Sequence, residues 1–278
     1  RVLPRARVSR AVGKLADASW PDTLGRAVVS LYSRAYRVAL DEAEGGPEWS
    51  SFDAFFTRGL RDGTRPVAPG KRLIVSPADG RVDSTGEITT DSRFVVKGRP
   101  YQVAELVGSE EEAQRYAGGR ACVIYLSPRD YHRVHSPVDG ELVEIRSMPG
   151  DYFPVNDIGV KHVPNLFVRN RRVAFVIDTP TLGRVTAVMV SAIIVGRITA
   201  SAVDGYDVPM GNHTLSPPIP LERGEEIGVF HLGSTVVLFL EKKAAGSWVV
   251  DSGAIRYGEG LHEAHEATNG VHVNGAHS

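Results

Sequence analysis

The run Val185-Thr-Ala-Val-Met-Val-Ser-Ala-Ile-Ile-Val-Gly196 is the longest predominantly apolar stretch of the chain. Its twelve residues are too few for a helix that spans a bilayer, which needs about 20. Half of them are valine or isoleucine, and these β-branched side chains favour extended backbone. The run therefore predicts a long buried strand at residues 184–195.

Shorter strand patterns flank this run on both sides. Their spacing, together with 29 glycines and 17 prolines, favours a sandwich or barrel over a parallel α/β sheet. A helical pattern interrupts them near 102–117, and another precedes them over 50–60, where Ser50 and Asp53 are placed to cap the helix. We therefore expect an α+β fold whose main domain is β-rich and sandwich- or barrel-like. The other strands are predicted at 73–76, 81–88, 93–97, 121–127, 141–147, 173–179, 235–241 and 247–251.

Composition excludes several classes of protein. The chain has 278 residues, of which 42% are hydrophobic and 23% charged, and this balance excludes a disordered chain, a collagen and a coiled coil. Cys122 is the single cysteine, so an intrachain disulfide and a cysteine-based zinc site are excluded, and a reducing location facing the cytosol fits. The formal net charge of −1 gives no sign of nucleic-acid binding.

The first forty residues differ from the rest of the chain. They carry eight basic and two acidic residues, a local net charge of +6, and apolar residues recur at helical spacing on both sides of Pro21. Such a basic amphipathic helix pair suits an anionic membrane surface. A helical hairpin packed on the core, with its basic face in water, is the alternative. We divide the chain into this helical segment (1–46), the β-rich domain (47–258) and a polar, frayed tail (259–278).

One short sequence occurs twice, as Ser76-Pro-Ala-Asp-Gly80 and as Ser136-Pro-Val-Asp-Gly140. Each copy is a proline-led turn that is closed by Asp-Gly and followed by a strand pattern. The two copies predict equivalent hairpin entries in a pseudo-symmetric β structure, in which Asp79 and Asp139 cap turns. Asp79 is also a candidate catalytic acid.

Two further segments carry side chains suited to catalysis. His132 and His135 lie in a dense polar segment, and histidine titrates near neutrality, so we expect general acid–base work of them; a metal pair lacks an evident third ligand. Ser234 stands between Gly233 and a strong strand pattern, where glycine permits a strained turn or a β-bulge. Asp79, His135 and Ser234 together supply an orienting acid, a base and a nucleophile.

Six motifs relate the chain to a known family. In chain order they are Phe52-Asp-Ala-Phe-Phe-Thr-Arg-Gly-Leu-Arg with Arg65-Pro66, Pro77-Ala-Asp-Gly80, Tyr125-Leu-Ser-Pro-Arg-Asp-Tyr-His-Arg-Val-His135, Pro149-Gly-Asp151, Val163-Pro-Asn-Leu-Phe-Val-Arg-Asn170 and Gly228-Val-Phe-His-Leu-Gly-Ser-Thr235. With these motifs the chain resembles the prokaryotic, membrane-associated phosphatidylserine decarboxylases, which are pyruvoyl-dependent proenzymes.

The resemblance implies a self-processing reaction. Asp79 would orient and charge-stabilise His135, His135 would deprotonate Ser234, and the Ser234 oxygen would attack the carbonyl of Gly233. The resulting ester would undergo elimination and lose ammonia, which leaves a pyruvoyl group. The products would be a β chain (1–233) and an α chain (234–278) that stay associated.

The resemblance also implies the catalysed reaction. The pyruvoyl carbonyl would form a Schiff base with phosphatidylserine, and loss of carbon dioxide would give phosphatidylethanolamine. This group would replace pyridoxal phosphate as the electron sink, because the chain has six lysines and no evident phosphate-binding loop; no metal is expected. His132 matches a second family histidine and would act as proton donor or substrate contact. The resemblance suggests a homodimer that lies peripherally on the cytoplasmic side of the cell membrane, at the anionic leaflet that contains the substrate.

The chain departs from the family pattern at two places. Many members have Asn-Glu-Arg where this chain has Asn170-Arg171-Arg172, and Gly-Ser-Ile where it has Gly196-Arg197-Ile198. The additional arginines either serve a lipid phosphate or lie on the surface.

Two other classes of protein remain open on the residues alone. A serine hydrolase would use Asp79, His135 and Ser234, although no Gly-x-Ser-x-Gly elbow surrounds the serine. A lipoyl- or phosphocarrier-like β-sandwich would share the Asp-Gly turns but would not cleave itself.

Overall fold

The computed structural model describes residues 5–46, 49–155, 157–192, 197–231 and 234–266. The predicted cleavage partner Gly233 lies outside these residues, as does the tail from residue 267. The helices are α1 (Arg5–Asp17), α2 (Asp22–Tyr36), α3 (Phe52–Phe56), α4 (Val103–Val107), α5 (Glu110–Arg115), α6 (Asp157–His162) and α7 (Leu166–Arg169). The strands are β1 (Leu73–Val75), β2 (Gly80–Glu87), β3 (Arg93–Val96), β4 (Arg99–Gln102), β5 (Arg120–Leu126), β6 (Arg133–His135), β7 (Gly140–Met148), β8 (Arg172–Thr179), β9 (Gly183–Ser191), β10 (Arg197–Ala200), β11 (Gly211–Leu221), β12 (Glu226–His231), β13 (Ser234–Leu240), β14 (Gly246–Trp248), β15 (Gly253–Ile255) and β16 (Gly260–Ala264).

The predicted buried strand is confirmed over residues 184–191 as part of β9, which lies inside an antiparallel eight-stranded sheet of order β11-β7-β8-β9-β13-β5-β2-β15. Residues 193–195 of the prediction lie outside the described residues. Its side chains alternate between two cores. Val185 and Met189 belong to the cluster on one face of the sheet, whereas Val188 and Val190 belong to the cluster on the other face. Burial on both faces explains why this strand is almost continuously apolar instead of alternating with polar residues.

The two faces of the main sheet are covered by different structures. On one face, the small sheets β10-β12-β6 and β1-β16-β14 supply apolar side chains to the core, Phe230 and Leu261 among them. On the other face, α4, α5 and α7 supply the apolar cover, including Leu106 and Phe167. The α+β expectation is therefore confirmed, with a sandwich-like arrangement on one face and helices on the other.

The repeated turns are equivalent to each other, but the prediction that they are hairpin turns was wrong, because each leads from a strand of a small sheet (β1 or β6) into a strand of the main sheet (β2 or β7). In each turn the serine hydroxyl donates to the carbonyl two residues later, at 2.7 Å from both Ser76 and Ser136. Each turn ends in a glycine that begins a strand, and a Cβ atom at Gly80 or Gly140 would lie 2.5 or 2.4 Å from a carbonyl oxygen of the neighbouring strand. A side chain is therefore excluded at both positions.

Three sequence-based boundaries were wrong. The single helix near 102–117 is two helices, because Gly108 ends α4 at φ 74° and Ser109 begins α5 by accepting a hydrogen bond from the Glu112 amide. Helix α3 is capped by Ser51, not Ser50. The predicted frayed tail contains β16, which pairs with β1 and β14 because its side chains, including the fully buried Leu261, complete the core.

Helices α1 and α2 both pack on the body and expose apolar side chains. Ala16 and Val29 are buried in core clusters, while Leu15 and Leu31 are 63% and 72% exposed. The packing on the body agrees with the hairpin alternative, whereas contact with a membrane stays a prediction. Within the described ranges, none of the helices has the length and apolar character needed to cross a bilayer.

Candidate active site

Ser234 begins β13 at the centre of the main sheet. Its backbone is paired with Leu126 on one side and with Ser191 on the other, and the residue is 1% exposed. Its hydroxyl has no hydrogen-bond partner among the described residues. Because an unpaired buried hydroxyl is costly, this one is a candidate for a chemical role.

An apolar cavity of about 470 Å³ has Ser234 in its wall. The helices α1, α2 and α3 supply much of the rest, so the N-terminal segment covers the serine. The polar atom that Ser234 contributes lies among mostly apolar surroundings, which suits a ligand with hydrocarbon chains. The aromatic side chains in the wall are Trp20, Tyr32, Tyr36, Phe52, Phe56 and Tyr125.

His135 is held in one tautomer by its neighbours. Its Nδ1 lies 2.8 Å from the carbonyl oxygen of Gly224, which can only accept, so Nδ1 carries the proton and donates. Nε2 is therefore the acceptor, and the Tyr131 hydroxyl donates to it at 3.2 Å. The ring stacks on Tyr257 at 3.9 Å between centroids. Burial lowers the pKa of His135, so the ring is a neutral base at pH 7.

Asp79 does not make the orienting hydrogen bond to His135 that the family resemblance implied. That bond goes to the Gly224 carbonyl instead. The Asp79 carboxylate accepts from Arg65 at 2.7 Å and from the Tyr257 amide at 2.9 Å. Its negative charge still favours a protonated His135, and it holds the segment whose tyrosine stacks on that ring. Asp79 thus acts on His135 through charge and through Tyr257, not through direct contact.

His132 is also held in one tautomer by its neighbours. Its Nδ1 donates to the Asp130 carbonyl oxygen at 2.8 Å, and its Nε2 is buried without a partner in the described part of the chain. Burial lowers the pKa of His132 to about 3. Phe56 packs on the ring at 4.0 Å between centroids and also lines the apolar cavity. His132 is therefore one side chain away from the cavity that contains Ser234.

The matched family model is described as phosphatidylserine decarboxylase and covers residues 52–263. This chain belongs to that family. The chain is 40% identical over 251 residues to a phosphatidylserine decarboxylase proenzyme of Anaeromyxobacter sp. (strain K), covering 87% of each chain. It is 38% identical over 265 residues to a proenzyme of the same name from Hahella chejuensis, covering 93% of this chain and 86% of the relative. A third such proenzyme, from Acinetobacter baumannii (strain ATCC 17978), is 41% identical over 244 residues, which is 87% of this chain and 85% of the relative.

Arg171 and Arg172, in this member of the phosphatidylserine decarboxylase family, are buried in the body and do not lie on the surface. Arg172 donates to the carbonyl oxygens of Leu106, Val168 and Asn170, and burial lowers its pKa to about 10. Arg171 pairs with Asp207 at 2.7 Å. These contacts join helices and strands, so both arginines have structural partners.

Arg197, the other departure from the phosphatidylserine decarboxylase pattern, belongs to an ionic cluster that sequence reasoning missed. It donates to Asp17 at the end of α1 at 2.9 Å and to Asp53 in α3 at 2.6 Å. His231 also donates to Asp53, at 2.8 Å, and Thr199 lies 3.2 Å from its second ring nitrogen. The cluster fastens α1 and α3 to β12, two residues before the predicted cleavage site. The departure at position 197 was the only signal in the sequence.

Proposed function

We propose that this chain converts phosphatidylserine to phosphatidylethanolamine and carbon dioxide with a pyruvoyl group that it makes from Ser234. The observation that carries the proposal is the buried, unpartnered Ser234 hydroxyl in the wall of an apolar cavity that amphipathic helices cover. Membership of the phosphatidylserine decarboxylase family and relatives named proenzymes support both the reaction and the self-processing.

In the proposed processing step, His135 takes the Ser234 hydroxyl proton on Nε2 and the oxygen attacks the carbonyl carbon of Gly233. The peptide bond becomes an ester as the proton passes to the Ser234 nitrogen. Loss of the Ser234 α proton then breaks the bond between its β carbon and the ester oxygen, which leaves Gly233 with a free carboxylate and residue 234 as an enamine. The β carbon takes up a proton to give an imine. Water then adds at the α carbon and ammonia leaves, so residue 234 becomes a ketone. Because Tyr131 donates to the same Nε2, its hydroxyl must turn away before the base can act.

The site fits a pyruvoyl group at position 234. The backbone there is fixed by strands on both sides, and the residue itself is buried. When present, the ketone supplies the electron sink that decarboxylation of an amino acid requires and that standard side chains lack. His132 is the proposed proton carrier, since its buried Nε2 has no partner among the described residues and Phe56, which packs on its ring, lines the cavity.

The two products are proposed to stay associated because strands from both sides of the cut interleave. β13, which would belong to the α chain, lies between β9 and β5 of the β chain. β16 of the α chain likewise pairs with β1 of the β chain. Separation would therefore require breaking the central sheet.

The membrane partner is the anionic leaflet that contains phosphatidylserine. Support comes from the basic composition of residues 1–40 and from exposed apolar residues of α1 and α2 such as Leu15, Leu24 and Leu31. These features favour peripheral binding on the cytoplasmic side of the cell membrane. A homodimer completes the proposal on family resemblance.

The decisive experiment is the intact mass of the purified protein under denaturing conditions. We expect two fragments that divide after Gly233, the smaller one lighter by one ammonia than simple hydrolysis predicts. The Ser234→Ala chain is the control and should remain whole and inactive. A single unmodified chain from an active preparation would remove the pyruvoyl mechanism, and labelling of that chain at Ser234 by a fluorophosphonate would make it a serine hydrolase.

A further inference from the structure

A second cavity, of about 260 Å³, shares no described residue with the cavity at Ser234. Its character is ionic: five arginines and three carboxylates line it. The arginines outnumber the acids, so the wall has an excess of positive charge. The charged side chains are Arg37, Arg58, Arg65, Arg129, Arg256, Glu42, Asp79 and Asp130.

Two of the three carboxylates are already neutralised by arginines of the same wall. Arg65 pairs with Asp79 and with Glu42, both at 2.7 Å. Arg256 adds a longer contact of 3.4 Å to Glu42. The third carboxylate, Asp130, accepts two hydrogen bonds from Ser127 and forms a longer ion pair of 3.7 Å with Arg129. The excess positive charge of this wall therefore resides on Arg37 and Arg58, which form no ion pair with a described carboxylate.

Arg58 is the inner one of these arginines, and its guanidinium is poorly satisfied. The residue is 5% exposed, and the one hydrogen bond that its guanidinium makes among the described residues goes to the Arg129 carbonyl oxygen at 3.2 Å. Its Nε is buried and unpartnered, and no carboxylate in the described part of the chain forms an ion pair with it, although Asp79, Asp130 and Glu42 act on it through charge. A buried cation without a direct ion pair is unfavourable, so an anion in the cavity would satisfy Arg58.

We propose that this cavity binds a phosphate group, with Arg58 as its inner ligand and Arg37 and Arg129 at its mouth. The three arginines come from separate parts of the chain: Arg37 caps the end of α2, Arg58 follows α3, and Arg129 lies in the loop before β6. A tetrahedral oxyanion offers acceptors in several directions, which suits guanidinium groups that converge in this way. The site goes beyond the proposed function, which assigns no ligand to this cavity, although Asp79 and Tyr131, which act on His135, also line it.

Binding there would reach the catalytic histidine through charge. The positive charge of Arg58 is one of the causes that lower the pKa of His132, after burial. A phosphate beside Arg58 would offset that charge and raise the pKa of His132. Binding of an anion in this cavity would therefore change the pKa of His132, the proton carrier of the proposed reaction.

The test uses the full chain in detergent and inorganic phosphate as the probe, with binding measured by calorimetry and by the rise in Tm. We expect saturable binding that Arg58→Gln weakens by about tenfold or more. The matched control is Arg93→Gln, an exposed arginine paired with Asp91 outside the cavity, which should bind like the wild type. Without phosphate, Arg58→Gln should not lower Tm, because it removes an unpaired buried charge.

Two exposed arginines keep the test valid if Arg58→Gln does not fold. Arg37→Gln and Arg129→Gln should each weaken phosphate binding severalfold while leaving the fold intact. Wild-type protein without saturable binding, or unchanged affinity in all three variants, would overturn the proposal. Because self-cleavage is read separately by mass, a cleaved protein that does not bind phosphate would refute this site and leave the proposed function standing.

A competition arm identifies the source of the phosphate group. Vesicles of phosphatidylcholine containing phosphatidylglycerol are added to protein loaded with inorganic phosphate. Displacement that requires Arg37 and Arg58 would assign the site to a lipid headgroup. Retention of phosphate on vesicle-bound protein would assign it to soluble phosphate.

Discussion

Acidification should destabilise this protein through His132. The ring is fully buried, with its Nε2 unpartnered among the described residues. Its pKa is about 3 in the folded chain, against the ordinary 6.5 that applies on unfolding. Above pH 6.5 both states hold the neutral ring, so the full stability is present. As pH falls below 6.5 the unfolded chain takes up a proton that the folded chain refuses, and stability is lost until the pH nears 3.

The magnitude follows from the interval between the two pKa values. Each pH unit below 6.5 costs about 1.4 kcal/mol for one such group. At pH 5 the loss from His132 is therefore about 2 kcal/mol, a large fraction of the stability of an ordinary domain. His135 and His262 are also buried with lowered pKa values, so they add to the decline in the same direction.

The assay is urea unfolding of the uncut Ser234→Ala chain between pH 7.5 and pH 5. Adding His132→Asn should lower stability at every pH, since ring packing on Phe56 is lost. The decline between the two pH values should nevertheless shrink by about 2 kcal/mol. His265→Gln, at an exposed position, is the control and should leave the decline unchanged. An equal decline with and without His132 would show that this ring is not held neutral by burial.

Three further outcomes are expected. Tyr131→Phe removes the hydroxyl that donates to His135 Nε2, so self-cleavage should be faster, as measured by gel mobility. Slower cleavage would show that this hydroxyl assists the reaction. Arg197→Ser leaves Asp17 and Asp53 without their arginine and should lower the free energy of unfolding by about 3 kcal/mol. This loss would be measured as a lower urea midpoint, with early proteolysis near α1. An unchanged midpoint would show that the cluster is energetically neutral. Ala16→Trp should fill the apolar cavity and abolish lipid decarboxylation while the chain still cuts itself; normal turnover would place the lipid elsewhere.

Local patterns were sufficient to predict the strands that form the centre of the fold. Residues 184–191 of the apolar run form most of β9, and the strong strand pattern after Gly233 is β13. Both were predictable because residues buried on both faces of a sheet must be apolar whatever their neighbours are. Strands such as β11 (Gly211–Leu221) escaped prediction, since that edge strand carries three prolines and mostly exposed residues. Edge strands depend on pairing with a neighbour, which a local pattern does not record.

The sequence selects residue types for the candidate site, whose roles stay predictions, but it could not give the contacts of those residues. Asp79, His135 and Ser234 were selected by sequence, and the structure places Asp79 and His135 around the same tyrosine, Tyr257. The Gly224 carbonyl that fixes His135 could not be foreseen, because any residue supplies a carbonyl. Arg58 escaped for a related reason: its burial and missing partner are properties of packing.

The position of Ser234 explains how the catalytic centre would stay ordered after the proposed cut in the chain. A new chain end normally frays, because terminal residues lose the constraints of their neighbours. Here the proposed new end would be the first residue of β13, whose backbone is paired with Leu126 on one side and Ser191 on the other. Every residue of that strand from Ser234 to Leu240 is buried. The sheet would therefore hold the reactive end of the α chain in place after cleavage, so the cut can create a functional group without giving it freedom to move.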